Sequence, residues 1–285
     1  MSPHSTHQIP IKEGVLALGP KPLIMGILNV TPDSFSDGGH HTNPQKALSH
    51  TRVMLEQGAD IIDIGGQSTR PGAKEISTQE ELDRVIPVIE HLISSGIKVP
   101  ISIDTFKALV ADQAIQAGAT IINDVSGLQR EPEIATIAAR YRTPIIIMHW
   151  DKQRDQNADI IEEMHRFLEV SLGIAQNANV QKTKIIIDPG FGFAKTLDEN
   201  YQVLGRLHEL HKHGLPLLIG TSRKSMLSKL LQPVPDELAT ATAATSVIAY
   251  QQGAHIFRVH DVAQNLQALQ IAYASLYAIK SQDSK

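Results

Sequence analysis

The sequence contains no cysteine among its 285 residues, which excludes disulfide bonds and thiolate chemistry. Its formal net charge is only −4, so we expect neither nucleic acid nor an anionic membrane surface as a partner. No apolar run reaches the roughly 18 residues of a membrane span. The N-terminus, MSPHSTHQIP, lacks the apolar centre of a signal peptide. These absences predict a cytoplasmic protein.

Short apolar runs alternate with longer amphipathic segments along almost the whole chain. The eight apolar runs are residues 23–28, 61–64, 99–103, 120–122, 144–148, 184–187, 215–219 and 255–259. The amphipathic segments are residues 44–57, 78–95, 107–116, 131–140, 158–178, 198–213, 236–252 and 262–278. Apolar strands that alternate with helices are typical of a parallel sheet buried on both faces. Eight such units predict a single α/β domain, residues 1–285, folded as a (β/α)8 TIM barrel.

Further details of the fold can be predicted at the chain start and at the helix ends. Residues 1–10 are expected to form a flexible tail, and residues 11–18 a short hairpin that covers one end of the barrel. Five helical segments end in glycine, as left-handed C-caps do: Gly58, Gly96, Gly118, Gly214 and Gly253. A doubly wound open sheet is the alternative architecture, but no glycine-rich dinucleotide fingerprint follows the first strand.

Polar residues occur where each apolar run ends. In a barrel, functional groups lie at these carboxyl ends of the strands and in the loops that follow them. The residues are Asn29, Asp63, Asp104, Asn123, His149, Asp188, the segment 221–225, and Arg258 with His260. A single aspartate at such a position can equally be a helix cap. Polar groups at all eight strand ends favour a ligand site.

Three of these residues suit a nitrogen heterocycle. Asp104, Asn123 and Asp188 can bind a ligand edge that presents several N–H donors and an acceptor. A buried carboxylate pairs well with an amino-heterocycle, because charge-assisted hydrogen bonds offset its desolvation.

Basic residues follow the last two strands. Arg223 and Lys224 come after the seventh strand, and Arg258 and His260 lie at the end of the eighth. This corner of a barrel is a frequent phosphate site, and a serine of the same segment could add backbone N–H groups at a helix start.

The loops carry further candidates. MGILNVTPDSFSDGG leaves the first strand and DIGGQSTRPG leaves the second. Arg70, in the second loop, could clamp a carboxylate or pair with Asp33 of the first. In the motif DPGFGF, Phe193 could stack on a flat ligand. His149 and Trp150 could be either core residues or part of a ligand-binding wall.

The motifs NVTPDSFSDGG, GGQSTRPGA, DPGFGF, SRKS and RVHDV follow one another in this order. With this combination, the chain resembles the dihydropteroate synthases of folate biosynthesis over residues 22–278. The resemblance implies a TIM barrel, a homodimer and a transferase. This transferase joins 6-hydroxymethyl-7,8-dihydropterin pyrophosphate to p-aminobenzoate and releases pyrophosphate, with Mg2+ as cofactor. Sulfonamides compete with p-aminobenzoate in this family.

The resemblance also implies roles for individual residues. Those expected to hold the pterin are Asp104, Asn123, Asp188 and Lys224, with Met148 against its ring. Those expected at the pyrophosphate are Asn29, Arg258 and His260, with Asn29 also near Mg2+. Those expected around p-aminobenzoate are Asp33, Phe35, Thr69, Arg70, Pro71, Phe193 and Ser225. The candidate catalytic residues are Asn29, Asp33, Arg70, Lys224, Arg258 and His260.

Two positions depart from the family pattern. Gln67 stands where the pattern commonly has glutamate, so the anchoring of the second loop loses a charge while keeping a hydrogen-bonding group. Trp150 stands where smaller residues are common, and it either alters the pterin pocket wall or simply packs.

Two other functions are compatible with part of this pattern. A methyltransferase that takes its methyl group from methyltetrahydrofolate would share Asp104, Asn123 and Asp188. It would not need the STRPG loop or the basic residues Arg258 and His260. A degenerate synthase paralogue would bind pterin without catalysis, and Gln67 is the one feature that leaves room for it.

Overall fold

The computed structural model describes residues 3–31, 43–68, 74–232 and 237–277. The strands are β1 (His7–Ile11), β2 (Gly14–Leu18), β3 (Leu23–Asn29), β4 (Ile61–Gly65), β5 (Ile101–Asp104), β6 (Ile121–Asp124), β7 (Ile145–Met148), β8 (Ile185–Asp188), β9 (Leu218–Ile219) and β10 (Ile256–Val259). The helices are α1 (Pro44–Glu56), α2 (Thr78–Ser94), α3 (Ala108–Ala117), α4 (Glu133–Tyr141), α5 (Ile160–Asn177), α6 (Leu197–Gly205), α7 (Ser225–Leu230), α8 (Ala239–Gln251) and α9 (Val262–Tyr277). Two 3-10 helices cover Lys182–Lys184 and Leu207–His213. Of the helices in these ranges, none is long and apolar enough to cross a membrane.

The strands from β3 to β10 form one parallel sheet, in the order β8-β7-β6-β5-β4-β3-β10-β9. A parallel bridge between Ile187 of β8 and Leu217, which precedes β9, joins the two ends of this sheet. The Ile187 N–H also donates to the carbonyl of Pro216 at 2.9 Å. Because helices connect successive strands, the predicted (β/α)8 barrel is confirmed.

The alternation of side chains along each strand sorts the barrel residues into an inner and an outer set. One apolar cluster fills the interior with Leu23, Met25, Ile61, Ile121, Ile146, Ile186, Leu218 and Ile256. The residues that follow them, such as Ile62, Ile122 and Ile187, join the larger cluster that packs against the helices. Two residues beyond the inner apolar residue of a strand, the next inward-facing side chain is polar. These polar residues are Asp63, Asn123, Asp188 and Arg258. The same period of two therefore directs the polar strand ends into the barrel mouth.

The N-terminal hairpin begins earlier than predicted. β1 starts at His7 and pairs with β2 in antiparallel fashion, so residues 7–10 belong to a strand and the expectation of a flexible tail is wrong for them. Ile9 is 1% exposed, because it packs with Leu16 and Leu18 against the interior cluster. The Lys184 ammonium donates to the carbonyl of Pro10 at 2.6 Å. The hairpin covers one end of the barrel, as expected.

The helix prediction differs from the structure at two places. The segment 198–213 is not one helix, because α6 ends at Gly205 and a 3-10 helix follows. Arg206 has φ −114°, which interrupts the α-helical backbone. The short helix α7 after β9 was not predicted. The five predicted glycine caps are confirmed, since each of these glycines has φ between 66° and 123°.

Several histidines meet where the N-terminal segment crosses the lower end of the barrel. They are His4, His7, His211 and His255. The Nδ1 atom of His255 accepts from the Leu217 N–H at 3.3 Å, and its Nε2 atom lies 3.0 Å from the carbonyl of Ser5. Burial lowers the pKa of His255 to about 4, and the charges of the other three histidines act in the same direction.

We expect His255 to make the free energy of unfolding depend on pH. Its folded-state pKa lies below the ordinary value of 6.5, so the unfolded chain takes up its proton first. The stabilisation is therefore complete above pH 6.5 and is lost as the pH falls towards 4. Urea unfolding of the wild type and of His255→Gln should show a stability difference that shrinks over this range. A difference that stays constant over this pH range would contradict the prediction.

Candidate active site

Six inward-facing side chains lie together at the carboxyl ends of the strands. They are Asp63 on β4, Asp104 on β5, Asn123 on β6, Met148 on β7, Asp188 on β8 and Arg258 on β10. The register places Asp104 beside Asn123 and Met148 beside Asp188. All except Arg258 are buried. The structure thus brings together four of the five residues that the sequence predicted at the pterin, all except Lys224, and it adds Asp63 and Arg258.

Arg258 lies between two carboxylates. Its Nε donates to Asp63 Oδ2 at 2.6 Å and its Nη2 donates to Asp104 Oδ2 at 2.7 Å. Asp63 is fully buried and also lies 3.4 Å from the Asn123 side-chain nitrogen. The sequence placed Asp63 at a strand end without giving it a role. The structure shows that it fixes the position of Arg258 inside the barrel.

The buried carboxyl groups of this network can accept hydrogen bonds from the N–H groups of a ligand. Burial raises the pKa of Asp104 to about 7, against the opposing charge of Arg258. Burial also raises the pKa of Asp188, whose Oδ1 accepts from the Gly190 N–H at 2.7 Å. The buried atoms Asp104 Oδ1 and Asn123 Oδ1 have no hydrogen-bond partner within the described ranges. A buried acceptor in this state is costly unless a ligand supplies the donor.

Two glycines keep space open around these oxygens. A β-carbon at position 65 would stand 3.5 Å from Asp104 Oδ2 and 3.7 Å from Asn29 Oδ1. A β-carbon at position 220 would stand 3.9 Å from Asp188 Oδ2. Gly65 and Gly220 therefore leave room for ligand atoms between the strand ends, with the Asn29 side chain at the edge of that room.

An apolar wall borders the polar groups. It consists of Phe106, Val125, Met148 and Phe193, with Trp150 packed against them. The Trp150 and Phe193 rings are 5.2 Å apart and meet edge to face. Lys224 Nζ lies 4.1 Å from the centre of the Phe193 ring. This wall explains Trp150 as a packing partner of Phe193. Phe106 and Val125 were missed by the sequence analysis, although each follows a strand-end carboxylate by one or two positions.

The predicted phosphate corner is assembled only in part. His260 Nδ1 lies 3.0 Å from Ser222 Oγ, which also accepts from the His260 N–H at 3.1 Å. Ser225 is the exposed first residue of α7. Arg223 does not face this corner, because its guanidinium pairs with Asp261. Arg258 is held by the carboxylates instead.

Comparison with known proteins identifies the family. The model of the family described as pterin binding enzyme matches residues 25–260. The dihydropteroate synthase of Bacillus subtilis is 48% identical over 259 residues, covering 91% of this chain and 90% of that enzyme. The structure of Yersinia pestis dihydropteroate synthase in complex with a sulfonamide drug has a TM-score of 0.86 and 45% identity. It covers 95% of this chain and 99% of that one. The structure of Xanthomonas albilineans dihydropteroate synthase with 4-aminobenzoic acid has a TM-score of 0.87 and 41% identity. It covers 96% of this chain and 99% of that one.

The chain belongs to the dihydropteroate synthases. It is a transferase of folate biosynthesis that joins 6-hydroxymethyl-7,8-dihydropterin pyrophosphate to p-aminobenzoate, in a family inhibited by sulfonamides. The resemblance stated from the sequence motifs is therefore confirmed. The comparisons favour the synthase over the methyltransferase alternative.

The departure from the family pattern at Gln67 has a structural explanation. Gln67 Oε1 accepts from the Ile76 N–H at 3.2 Å and from the Lys107 ammonium at 3.1 Å. Gln67 and Ile76 flank the second loop, so this contact joins the two sides of its base. Lys107 also forms a buried ion pair with Glu81 at 2.7 Å. The amide oxygen thus provides the anchor, and Glu81 provides the negative charge.

Several candidate residues of this family lie outside the described residues. They are Asp33 and Phe35 of the first loop, and Thr69, Arg70 and Pro71 of the second.

Proposed function

We propose that this dihydropteroate synthase holds the pterin ring between Asp104, Asn123 and Asp188. The observation that carries the proposal is the pair of buried acceptors, Asp104 Oδ1 and Asn123 Oδ1, beside the Asp188 carboxylate. A pterin edge carries ring N–H and amino donors that complement these oxygens. Met148, in the apolar wall, packs against the face of the ring, and Lys224 closes the same pocket.

We place p-aminobenzoate on the other side of the wall. Phe193 offers an aromatic surface for its ring, and Lys224, above Phe193, offers a charge. Ser225, at the start of α7, lies near the carboxylate in this proposal. Thr69, Arg70 and Pro71, together with Asp33, close over the amine side, as the family resemblance implies. The related enzyme from Xanthomonas albilineans in complex with 4-aminobenzoic acid supports an aryl site in this fold.

The pyrophosphate is the leaving group, and Asn29, Arg258 and His260 are proposed to bind it. Arg258 neutralises Asp63 and Asp104. A pterin that donates to Asp104 Oδ1 leaves Nη2 on Asp104 Oδ2 and Nε on Asp63 Oδ2. The remaining guanidinium nitrogen, Nη1, is then available to the pyrophosphate while the two carboxylates keep the orientation of Arg258.

The residues present fit Mg2+. Among the described residues, no group of three His, Asp or Glu side chains is arranged to hold a metal ion. The amide oxygen of Asn29 does border the space that Gly65 leaves open. Mg2+ is commonly bound by one or two protein oxygens together with waters and substrate phosphates, so Asn29 with the pyrophosphate is a sufficient donor set. Bound there, Mg2+ would neutralise the negative charge that develops on the departing pyrophosphate.

The reaction is a displacement at the exocyclic methylene of the pterin. The dihydropterin ring can delocalise a developing cation, so the pyrophosphate departs ahead of attack by the amine. Arg258 and His260 stabilise the leaving group, and the apolar wall excludes water as a competing nucleophile. An aromatic amine is neutral at neutral pH and attacks through its lone pair. The proton that its nitrogen loses once the C–N bond has formed passes to the released pyrophosphate, so no residue is assigned as a general base.

We further propose a cytoplasmic homodimer. Ile248 of α8 and Ile271 of α9 are 42% and 75% exposed, which supports a contact surface on these two helices. Sedimentation velocity of the wild type and of Ile271→Lys tests it: the variant should sediment as a smaller species. Identical sedimentation of both proteins would place the interface elsewhere.

His260→Ala is expected to weaken binding of the pterin pyrophosphate by roughly tenfold to a hundredfold, the value of a hydrogen bond to a charged group. Calorimetry with the pterin pyrophosphate and with the same pterin lacking pyrophosphate separates this effect from the pterin contacts. Affinity for the second ligand should be unchanged, as it should be for both ligands in the exposed control His208→Ala. An equal loss with both ligands would refute the role of His260 at the leaving group.

Sulfonamide binding distinguishes a synthase from a degenerate paralogue. In a working site, a sulfonamide should bind only when the pterin pocket and the pyrophosphate site are filled. Calorimetric titration with and without pterin and pyrophosphate measures this dependence. Sulfonamide binding that ignores both ligands would contradict the proposed site.

A further inference from the structure

Lys195 lies two residues after the motif DPGFGF, and its ammonium contacts both that loop and His149. Its Nζ is 2.8 Å from His149 Nδ1, 2.9 Å from the carbonyl of Gly190 and 3.2 Å from the carbonyl of Phe193. A lysine ammonium has three donors and no acceptor, so these contacts use all of them. Lys195 thereby joins two parts of the chain, the end of β7 and the loop after β8.

The loop that Lys195 holds has an unusual backbone. Gly190, Gly192 and Ala194 all have positive φ, at 68°, 78° and 47°, so every second residue is in the left-handed region. A β-carbon at position 190 would stand 2.1 Å from the carbonyl oxygen of His149, which means that the loop rests directly on the end of β7. The contacts that hold this shape include the Phe193 N–H to Gly190 carbonyl bond, at 3.2 Å, and the ammonium of Lys195.

His149 is suited to accept a hydrogen bond from Lys195. The residue is fully buried, and burial lowers its pKa to about 2, so the imidazole is neutral. Donation by Lys195 to Nδ1 leaves the ring proton on Nε2. Burial also lowers the pKa of Lys195 to about 7, although the Asp188 carboxylate opposes that shift. Burying an ammonium group costs free energy unless hydrogen bonds compensate for its lost hydration. The three hydrogen bonds of Lys195 supply this compensation.

The position of Phe193 depends on this arrangement. The carbonyl of Phe193 is one of the three groups that accept from Lys195. The side chain of Phe193 lies under Lys224 and beside Trp150. We propose that Lys195 is a positioning residue for the aryl side of the site. It ties the loop of Phe193 to His149, and thereby sets the surface against which p-aminobenzoate packs. This inference rests on the proposed function, because it assigns the aryl ring to Phe193.

Lys195→Met tests the proposal, because it removes the ammonium and keeps a chain of similar length. The KM for p-aminobenzoate should rise roughly tenfold or more, since a small misplacement of a binding surface has effects of this order. The affinity for the pterin pyrophosphate, measured by calorimetry, should stay within about twofold. Lys182→Met, at an exposed lysine on the other end of the barrel, should change neither value. A parallel loss for both substrates would show a general structural role and overturn the proposal.

Trp150 supplies a second readout that needs no turnover. It is the only tryptophan in the chain and contacts Phe193, so its fluorescence reports on the wall. Acrylamide quenching should increase in Lys195→Met and remain unchanged in Lys182→Met. If the wild type does not turn over p-aminobenzoate, the proposed function fails, whereas the quenching contrast still tests the link from Lys195 to Phe193. Unchanged quenching in Lys195→Met would overturn that link.

A pair of variants at His149 keeps the test open if Lys195→Met does not fold. His149→Gln retains an acceptor within reach of Lys195, and His149→Leu removes it. The first should be close to the wild type in the KM for p-aminobenzoate and in Trp150 quenching, and the second should resemble Lys195→Met. Equal behaviour of the two His149 variants would contradict the proposal.

Discussion

Asp188→Asn should weaken pterin binding severely while leaving the protein folded. The asparagine oxygen can still accept from the Gly190 N–H, as Asp188 Oδ1 does at 2.7 Å. Its amide nitrogen, however, presents hydrogen atoms to a pterin edge that also presents hydrogen atoms. Leaving such buried donors without an acceptor costs about 2–5 kcal/mol, which corresponds to a Kd increase of roughly 30-fold to several thousandfold.

The matched control for this prediction is Asp124→Asn. Asp124 is also a buried carboxylate at a strand end, and burial raises its pKa to about 6. Its oxygens accept from Ser126 and Leu128, within the turn that follows β6. This variant should lose stability and keep its pterin affinity. Calorimetry with the pterin pyrophosphate separates the two variants, and unchanged affinity in Asp188→Asn would refute the assignment of the pterin pocket.

Arg258→Met should be the most destabilising of the active-site variants. It leaves Asp63 and Asp104 buried without the guanidinium that now lies 2.6 and 2.7 Å from them. Removing one partner of a buried ion pair typically costs about 3–5 kcal/mol. Arg223→Met removes an arginine that is 52% exposed from its pair with Asp261, and such an exposed pair contributes about 1 kcal/mol or less.

The pH dependence of this loss identifies its cause. The pKa of Asp104 is already raised to about 7 by burial, and Arg258 opposes the rise. Without Arg258 the folded protein favours the protonated acid still more strongly. A group with a raised folded-state pKa stabilises the fold at low pH and loses that contribution as the pH rises. Below about pH 7 the wild type and the variant lose this contribution in parallel, because Asp104 is protonated in both folded proteins. The destabilisation of Arg258→Met should therefore grow as the pH rises above about 7, where Asp104 ionises in the wild type and stays protonated in the variant. A loss no larger than that of Arg223→Met, at any pH, would contradict the buried network.

The barrel and the grouping of most candidate site residues could be predicted from the sequence for a simple reason. In a parallel barrel, the residue that ends an apolar strand lies at the same rim as every other strand end. The positions of Asp104, Asn123 and Asp188 along the chain were therefore enough to bring them together.

Contacts that depend on which side chains face each other across the barrel could not be predicted. Asp63 and Arg258 are 195 residues apart, and no local pattern shows that the Arg258 guanidinium pairs with two carboxylates inside the barrel. The start of the hairpin was missed because only Ile9 and Ile11 are large apolar residues in β1. Ile9 becomes buried and Ile11 half-buried only through contact with the barrel interior. Lys195 resembles any lysine after a loop until its acceptors are known.

The most direct test of the proposed function is the release of pyrophosphate from 6-hydroxymethyl-7,8-dihydropterin pyrophosphate and Mg2+, measured with and without p-aminobenzoate. The geometry of the site predicts that release depends on p-aminobenzoate and that dihydropteroate forms in equal amount. Such a result would also show that Gln67 is compatible with catalysis. Pterin binding without release would contradict the proposed mechanism and would indicate a degenerate paralogue, and failure to bind pterin would refute the assignment of Asp104, Asn123 and Asp188.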